Sequence, residues 1–426
     1  MTIRFNDAFA RYLAEIRRST ALFKNSGDVV VVRDVFGRLR LAVSNAPPDR
    51  LPELMSALKD AAGAYFLEPV LVGVEMLSPE LIFKSQDIRL DGGVAVLERA
   101  LNGADWARPL LRNDVPSPPR ATLYGIKGGV GRSTALTVWA RHLAEQGQRV
   151  LVIDLDLESP GVSASLAPSD FLPEFGVIDW LVEDAVGCAD LELLAQMSTI
   201  SPLGQSASGE VLVVPCAGAS DFGAGYMAKL ARAYADVRAY DSSTRSLAER
   251  IATMIDALES HLNPTIVLLD SRAGLHDIAG IATTRLGATT FLFAVNSAQT
   301  WQGYRILLNN WSQHPDIARD VRERVHVVAA QVPETERDSY LERATESAYE
   351  LFSESFYEES GPRNPSAFNF DVFANEAPHR PIPVYWSRVF QDWDPLAGLV
   401  NVDQQRAAFG EFIDEATDLI LSEDSD

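Results

Sequence analysis

The sequence predicts an α/β protein in which a doubly wound, mostly parallel sheet begins at Ala121 and follows a small α+β domain. Three observations carry this expectation. From residue 121 through residue 330, apolar runs of strand length alternate with amphipathic helical stretches, the pattern of parallel strands joined by crossover helices. The first of these runs enters a glycine-rich turn that opens directly into a helical pattern, a junction that gathers backbone N–H groups at one point. Upstream, Asn113-Asp-Val-Pro-Ser-Pro-Pro-Arg120 is a stiff connector. The expected organisation is therefore a small α+β domain over residues 1–112, a Pro-rich linker over 113–120, and an α/β domain over 121–426 that ends in an acidic helical region.

Within the first domain, residues 5–24 place Phe5, Phe9, Tyr12, Leu13, Ile16 and Phe23 at helical spacing, which marks one buried stripe. Residues 29–32 read as a strand that turns through Arg33-Asp-Val-Phe-Gly37 into a second strand at 39–43, as a hairpin does. Helix signals follow at 51–64 and 94–101 and flank a strand at 70–74. This domain carries no motif with a recognisable chemistry. In the second domain, strands are expected at 121–126, 150–154, 211–215, 265–270, 289–295 and 325–330. Helices fill the intervals, and Gly147 ends the first of them.

Bulk properties narrow the classes of function. The 426 residues are 47% apolar, enough for two to three domains with substantial cores. The net charge of −22 is uneven: residues 1–120 hold 16 Lys+Arg against 15 Asp+Glu, and residues 331–426 hold 6 against 21. An acidic surface of that size repels nucleic acid and anionic lipid, so neither is the expected partner. The first helix offers Arg11, Arg17, Arg18 and Lys24, either a local basic face or a solvated helix face. Two cysteines, Cys188 and Cys216, support neither a disulfide framework nor a Cys-based metal site. None of the six histidines falls in a metal-binding pattern, and His276 alone lies near a motif of interest. There is no basic, apolar N-terminal signal and no apolar run long enough to span a bilayer, so a cytoplasmic protein without a membrane anchor is expected.

Chemistry concentrates in three segments. The first is Lys127-Gly128-Gly129-Val130-Gly131-Arg132-Ser133-Thr134, between the first strand and first helix of the α/β domain. The glycines let the backbone wrap a β-phosphate, with Val130 between them. Arg132 stands where a phosphate loop usually has Lys and would contact the outer phosphates; Ser133 would ligate Mg²⁺ and Thr134 would reach the α-phosphate. The second is Asp154-Leu-Asp156-Leu-Glu158-Ser-Pro-Gly161, at the end of the next strand. Acids at i and i+2 of an extended segment share a side, which suits one carboxylate near a metal and one on an attacking water. The third is Thr265-Ile-Val-Leu-Leu-Asp270-Ser-Arg-Ala-Gly274, a buried strand delivering Asp270 to the sheet edge, where it can hold Mg²⁺ through water. Arg272 either bears on the γ-phosphate or a dimer partner, or bonds loop carbonyls.

These three motifs, in this order, resemble the MinD/ParA family of P-loop ATPases, a SIMIBI-class group with a deviant Walker A loop whose early Lys, here Lys127, is the signature. The resemblance covers residues 121 to about 335. It implies ATP and Mg²⁺ as cofactors, slow hydrolysis, and a homodimer that closes on ATP with Lys127 acting in trans on the partner's phosphates. It further implies that Asp156 positions the attacking water, that Asp154 supports Mg²⁺, and that Asp270 is the Walker B carboxylate. Gln331 and Pro333, in Gln331-Val-Pro-Glu334, fall where the family makes its adenine pocket, although a plain surface turn fits as well. ATP is favoured over GTP because no Asn-Lys-x-Asp or Thr-Lys-x-Asp signature occurs; Thr335-Glu-Arg-Asp338 lacks the Lys.

Arg132, with Asp-x-Asp-Leu-Glu-x-Pro-Gly and Asp-Ser-Arg-x-Gly, looks like a bacterial subgroup with Arg in the loop, linked to signalling or defence. The acidic C-terminus is unlike a MinD-type membrane helix, and the lack of paired cysteines is unlike iron–sulfur carriers. The expected function is thus an ATP-dependent dimerisation switch acting on a protein partner. Two alternatives stay open: a degenerate nucleotide-binding scaffold without turnover, and a DNA-partitioning ATPase. The Pro- and aromatic-rich stretch 377–386 is expected to be an ordered loop on the core, and Trp139 and Trp301 are expected in the core.

Overall fold

A computed structural model describes residues 3–68, 70–85, 87–100, 102–111, 117–204, 208–222, 225–238, 244–359, 364, 366–391, 393–396 and 401–422. The chain divides into two units, Met1–Ala104 and Asp105–Asp426. Residues 113–116 of the expected linker lie outside the described residues.

The first unit contains α1 (Phe5–Arg18), β1 (Val29–Arg33), β2 (Leu39–Val43), α2 (Leu51–Ala62), β3 (Leu71–Val72), α3 (Glu80–Phe83), β4 (Ile88–Asp91) and β5 (Val94–Glu98). The strands form one sheet in the order β3-β2-β1-β5-β4. Tyr12, Leu13 and Ile16 of α1 and Leu54 and Leu58 of α2 close over Val31, Leu41 and Val96. The expected β1–β2 hairpin forms around Gly37, whose φ of 78° suits glycine.

Two expectations in this unit need correction. Residues 94–101 are not a helix: Val94–Glu98 is β5. Gly92 and Gly93 hold φ of 51° and 84°, the left-handed pair of a two-residue hairpin, and they fold β5 back on β4 with Asp91 opposite Val94. The strand expected at 70–74 is only Leu71–Val72, since the chain turns into a 3-10 helix at Gly73–Glu75, where a Cβ on Gly73 would come 2.6 Å from the Ser44 carbonyl oxygen.

The second unit contains β6 (Arg120–Tyr124), α4 (Arg132–Glu145), β7 (Arg149–Asp154), α5 (Val162–Leu166), α6 (Val177–Ala185), α7 (Leu191–Ala195), β8 (Thr199–Ile200), β9 (Glu210–Val214), α8 (Tyr226–Ala233), β10 (Val237–Arg238), β11 (Thr244–Arg245), α9 (Leu247–Leu262) and β12 (Ile266–Asp270). It continues with α10 (Asp277–Gly280), β13 (Thr289–Ala294), α11 (Ala298–Ser312), α12 (Pro315–Arg322), β14 (Val325–Val332), α13 (Arg337–Ser355), β15 (Ile382–Tyr385) and α14 (Val402–Ser422). Eight strands run in the order β15-β14-β13-β6-β12-β7-β9-β8. Every pairing in this sheet is parallel except β8 with β9. The doubly wound α/β fold follows from strand periodicity. In β12, Ile266 and Leu268 enter the core under α4 and α14, whereas Val267 and Leu269 enter the core under α6 and α9.

The C-terminal helix is part of this packing. Phe409, Phe412, Ile413, Ala416 and Ile420 of α14 join the core, and Trp139 of α4 meets Phe412 edge-on at 5.7 Å and donates to Thr417 Oγ1 at 3.0 Å. Glu411, Asp414 and Asp418 stay exposed. Trp139 is fully buried; Trp301 is half-buried and donates to Asn296 at 2.7 Å. Residues 377–386 also depart from expectation, since Ile382–Tyr385 is the edge strand β15, parallel to β14, rather than a loop. Pro381 and Pro383 argue against a strand in the sequence, yet an edge position tolerates a residue without an N–H. No helix among the described residues is long and apolar enough to cross a membrane.

Candidate nucleotide-binding site

The loop after β6 is built to leave backbone open. Gly129 and Gly131 hold φ of 73° and 87°, and a Cβ on Gly128, Gly129 or Gly131 would meet nothing within 4 Å. Val130 does the opposite: its side chain is buried in the core under α4, so it anchors the loop while the glycines face free space. The first intrahelical bond of α4 runs from the Ala135 N–H to the Gly131 carbonyl at 2.9 Å. The N–H groups of Arg132, Ser133 and Thr134 therefore precede the helical ladder and, with the helix dipole, favour an anion at this end. Lys127 and Thr134 are half-buried beside them.

Register in the sheet brings the carboxylates to the same place. Asp154 and Asp270 end neighbouring parallel strands and are register partners, and the Leu155 N–H donates to the Asp270 carbonyl at 3.0 Å. Ser133 Oγ donates to Asp270 Oδ2 at 2.8 Å, joining the first turn of α4 to β12. Asp270 Oδ1 is buried and has no hydrogen-bond partner among the described residues. Burial, the neighbouring Asp154 charge and Asp156 push the Asp270 carboxyl up to about 7, against the opposing pull of Arg132 and the Ser133 hydroxyl.

Asp154 is fully buried. Its Oδ1 accepts from the Asp156 N–H at 3.1 Å, and its Oδ2 accepts from the Ser163 N–H at 3.2 Å and from the Ser163 hydroxyl. Burial, only partly offset by these donors, raises it to about 6. Asp156 Oδ1 accepts from the Ser159 N–H at 3.1 Å; burial raises this carboxyl too, while the Ser159 donor and the charges of Arg132 and Arg272 lower it. A Cβ on Gly161 would lie 3.5 Å from Ser133 Oγ, so the segment after Asp156 closes on the same point.

Arg132 is turned toward the β12 end of the site, where its Nη1 donates to the Ser271 carbonyl at 2.6 Å. Gly274 donates its N–H to the Gly125 carbonyl at 3.0 Å. Gln331 has a φ of 56° and sits within β14, at its irregularity, rather than after the strand; its amide donates to the Gly129 carbonyl at 2.8 Å. Pro333 follows directly and is half-buried. The structure thus gathers Ser133, Asp154, Asp156, Asp270, Arg132 and Gln331 around one glycine loop.

Sequence reasoning gave no role to Ser163, which fixes Asp154, or to Glu158, which pairs with Arg272 and, at 3.3 Å, with His276. Glu158 stands in the quoted Asp-x-Asp-Leu-Glu motif, but its partners Arg272 and His276 come from another segment, and Ser163 lies just past that motif, nine residues from Asp154. A cavity of about 410 Å³ adjoins α5, lined by Ser163, Ala164, Leu172, Cys216 and Ala217 among others.

Among the described residues no trio of His, Cys, Asp or Glu forms a metal-ligand set. A P-loop cation needs none, since it takes one hydroxyl, one carboxylate through water, and phosphate oxygens. The unpartnered Asp270 Oδ1 beside Ser133 fits that demand.

A strand, an open glycine loop and a helix whose first-turn Ser133 bonds Asp270 at the end of a parallel strand define a P-loop nucleotide-binding protein. The chain belongs to the CobQ/CobB/MinD/ParA nucleotide-binding domain family, whose model matches residues 121–339, just over half of the sequence. The MinD/ParA resemblance read from the sequence falls within this family. No curated protein matches it. Among solved structures it is similar to the pNOB8 ParA bound to nonspecific DNA, at 13% identity over 69% of this chain and 94% of that one, with a TM-score of 0.40. It is also similar to a ParA family ATPase from Chlorobium tepidum TLS, at 14% identity over 53% and 80%, TM-score 0.37. A third is cobyrinic acid a,c-diamide synthase from Mycobacterium smegmatis with a bound ATP analog and magnesium, at 16% identity over 57% and 86%, TM-score 0.36.

Proposed function

We propose that this chain is a slow ATPase that binds Mg·ATP at Lys127–Thr134, dimerises in the bound state and engages a protein partner in the cytoplasm. The observation that carries this is Asp270, a buried carboxylate with one oxygen on Ser133 and the other without a partner. Ser133 and Asp270, with Asp154 behind them, would hold the Mg²⁺, which supplies charge neutralisation at the phosphates. The backbone of Gly128, Gly129, Val130 and Gly131 and the side chains of Arg132 and Thr134 would bind the phosphates, with Gln331 and Pro333 near the base and Lys127 reaching the other protomer.

Asp156 would orient the water. The water oxygen would bond to the γ-phosphorus as the bond to the β-phosphate oxygen breaks, the electron pair would leave on ADP, and both water protons would leave on the phosphate. Slow turnover fits Arg132, whose forked guanidinium is already bonded to a backbone carbonyl. That bond also favours a second reading, binding without hydrolysis. The excess of acidic over basic residues after residue 330 supports a protein rather than a nucleic acid as partner. The Arg-loop motif set supports a role in bacterial signalling or defence.

Titration calorimetry with ATP, with and without Mg²⁺, tests the proposal. Mg²⁺-dependent binding is expected, and its absence contradicts a working site. Phosphate release followed over hours separates slow turnover from none.

A further inference from the structure

Arg272 is the cation in this site that neither the phosphate loop nor the carboxylate cluster uses. The loop that carries it is pinned to the phosphate loop on both sides. Ser271, just before it, accepts from Arg132 at 2.6 Å, and Gly274, two residues after it, donates to the Gly125 carbonyl at 3.0 Å. The guanidinium itself pairs with Glu158, two residues beyond Asp156, and its charge also acts on Asp156. Neither partner of the pair is deeply buried: the Arg272 side chain is 32% exposed and that of Glu158 is 23% exposed.

We propose that Arg272 is the residue by which this site distinguishes a nucleoside triphosphate from a diphosphate, with Glu158 holding the guanidinium until a γ-phosphate takes it over. The proposal rests on the nucleotide-site assignment made above. Three physical points support it. The pair keeps part of both side chains in solvent, which screens it and lowers the cost of exchange. A guanidinium fork fits phosphate oxygens as readily as a carboxylate, and the terminal phosphate carries more charge than Glu158 does. When Arg272 departs, His276 Nε2 stays at 3.3 Å from Glu158 Oε1, while the buried Oε2 loses the guanidinium, a cost that the γ-phosphate contact has to exceed. Arg132, with Nη1 on the Ser271 carbonyl, is held beside the loop with or without nucleotide, whereas Arg272 has a carboxylate to exchange.

The test measures affinity rather than turnover. Titration calorimetry with Mg²⁺ gives dissociation constants for ATPγS and ADP in the wild type, Arg272→Ala, Arg272→Lys and Glu158→Gln. Arg272→Ala should lose roughly tenfold or more in ATPγS affinity and keep its ADP affinity within about twofold. Arg272→Lys should restore part of the preference. Glu158→Gln, which frees the guanidinium, should tighten ATPγS. The proposal is overturned if Arg272→Ala weakens both nucleotides alike, or if Arg272→Ala and Glu158→Gln shift the preference in the same direction, as loss of a simple strut does. Circular dichroism on each variant identifies an unfolded protein, and Arg272→Lys then supplies the comparison. A wild type that binds neither nucleotide refutes the site itself; a wild type that binds both, with an unchanged ratio in Arg272→Ala, refutes this inference alone.

Discussion

Asp270→Asn should make the nucleotide-free protein more stable at pH 8 while abolishing its stabilisation by Mg·ATP. Asp270 is 2% exposed, has one oxygen on Ser133 and lies beside Asp154, so its charged form is disfavoured in the fold. Its carboxyl titrates at about 7 in the fold against 3.8 for the free side chain. For an acid raised in the folded state, the favourable contribution is fully present below the unfolded value and disappears as pH climbs through the folded one. The window is therefore about pH 4 to 7, and the gap corresponds to at most about 4 kcal/mol. Asn keeps an acceptor for Ser133 and removes the charge. We expect a gain of about 1–3 kcal/mol at pH 8, shrinking to nothing near pH 4, in urea denaturation without Mg²⁺. At a ligand concentration of 100 times its dissociation constant, Mg·ATP should stabilise the wild type by about 2.7 kcal/mol and the variant far less. A variant that is less stable than the wild type at pH 8, or whose difference does not vary with pH, refutes the placement of an uncompensated carboxylate at this position.

Three further outcomes follow from the geometry. Asp156→Ala should cut phosphate release by roughly tenfold or more while nucleotide affinity by calorimetry changes little, because a water-orienting carboxylate acts mainly in the transition state. Gly218→Ala should destabilise the fold by about 2 kcal/mol or more in urea denaturation, since its Cβ would lie 2.3 Å from the Glu174 carbonyl oxygen. Arg250→Ala should lower unfolding free energy by about 3–5 kcal/mol: the side chain is fully buried, donates to Asp184 Oδ2 at 2.8 Å and to the Ala233 and Ala235 carbonyls at 3.1 and 2.7 Å, and its loss leaves Asp184 with Arg245 alone among these cations.

Much of the α/β fold is legible because its signals are local. Four consecutive apolar residues ending in an acid, as at Asp154 and Asp270, mark central parallel strands buried on both faces, and each matches its expected segment closely. Glycines at fixed offsets mark the phosphate loop for the same reason. Elements decided by tertiary context are not legible. Val94–Glu98 has apolar spacing compatible with a helix, and the Gly92–Gly93 turn and pairing with β1 make it a strand. Ile382–Tyr385 contains a proline that an edge position accommodates. In the site, residue types and order were readable, but partners were not. Arg132 faces Ser271, Gln331 faces Gly129 and Glu158 faces Arg272, pairs drawn from segments far apart in sequence.

The most direct test of the proposed switch is the solution mass measured by light scattering with Mg²⁺ and either ADP or ATPγS. The wild type should be a single chain with ADP and two chains with ATPγS, and Lys127→Ala should stay a single chain with both while still binding ATPγS by calorimetry. A mass that does not respond to nucleotide, or a Lys127→Ala protein that dimerises as the wild type does, contradicts it.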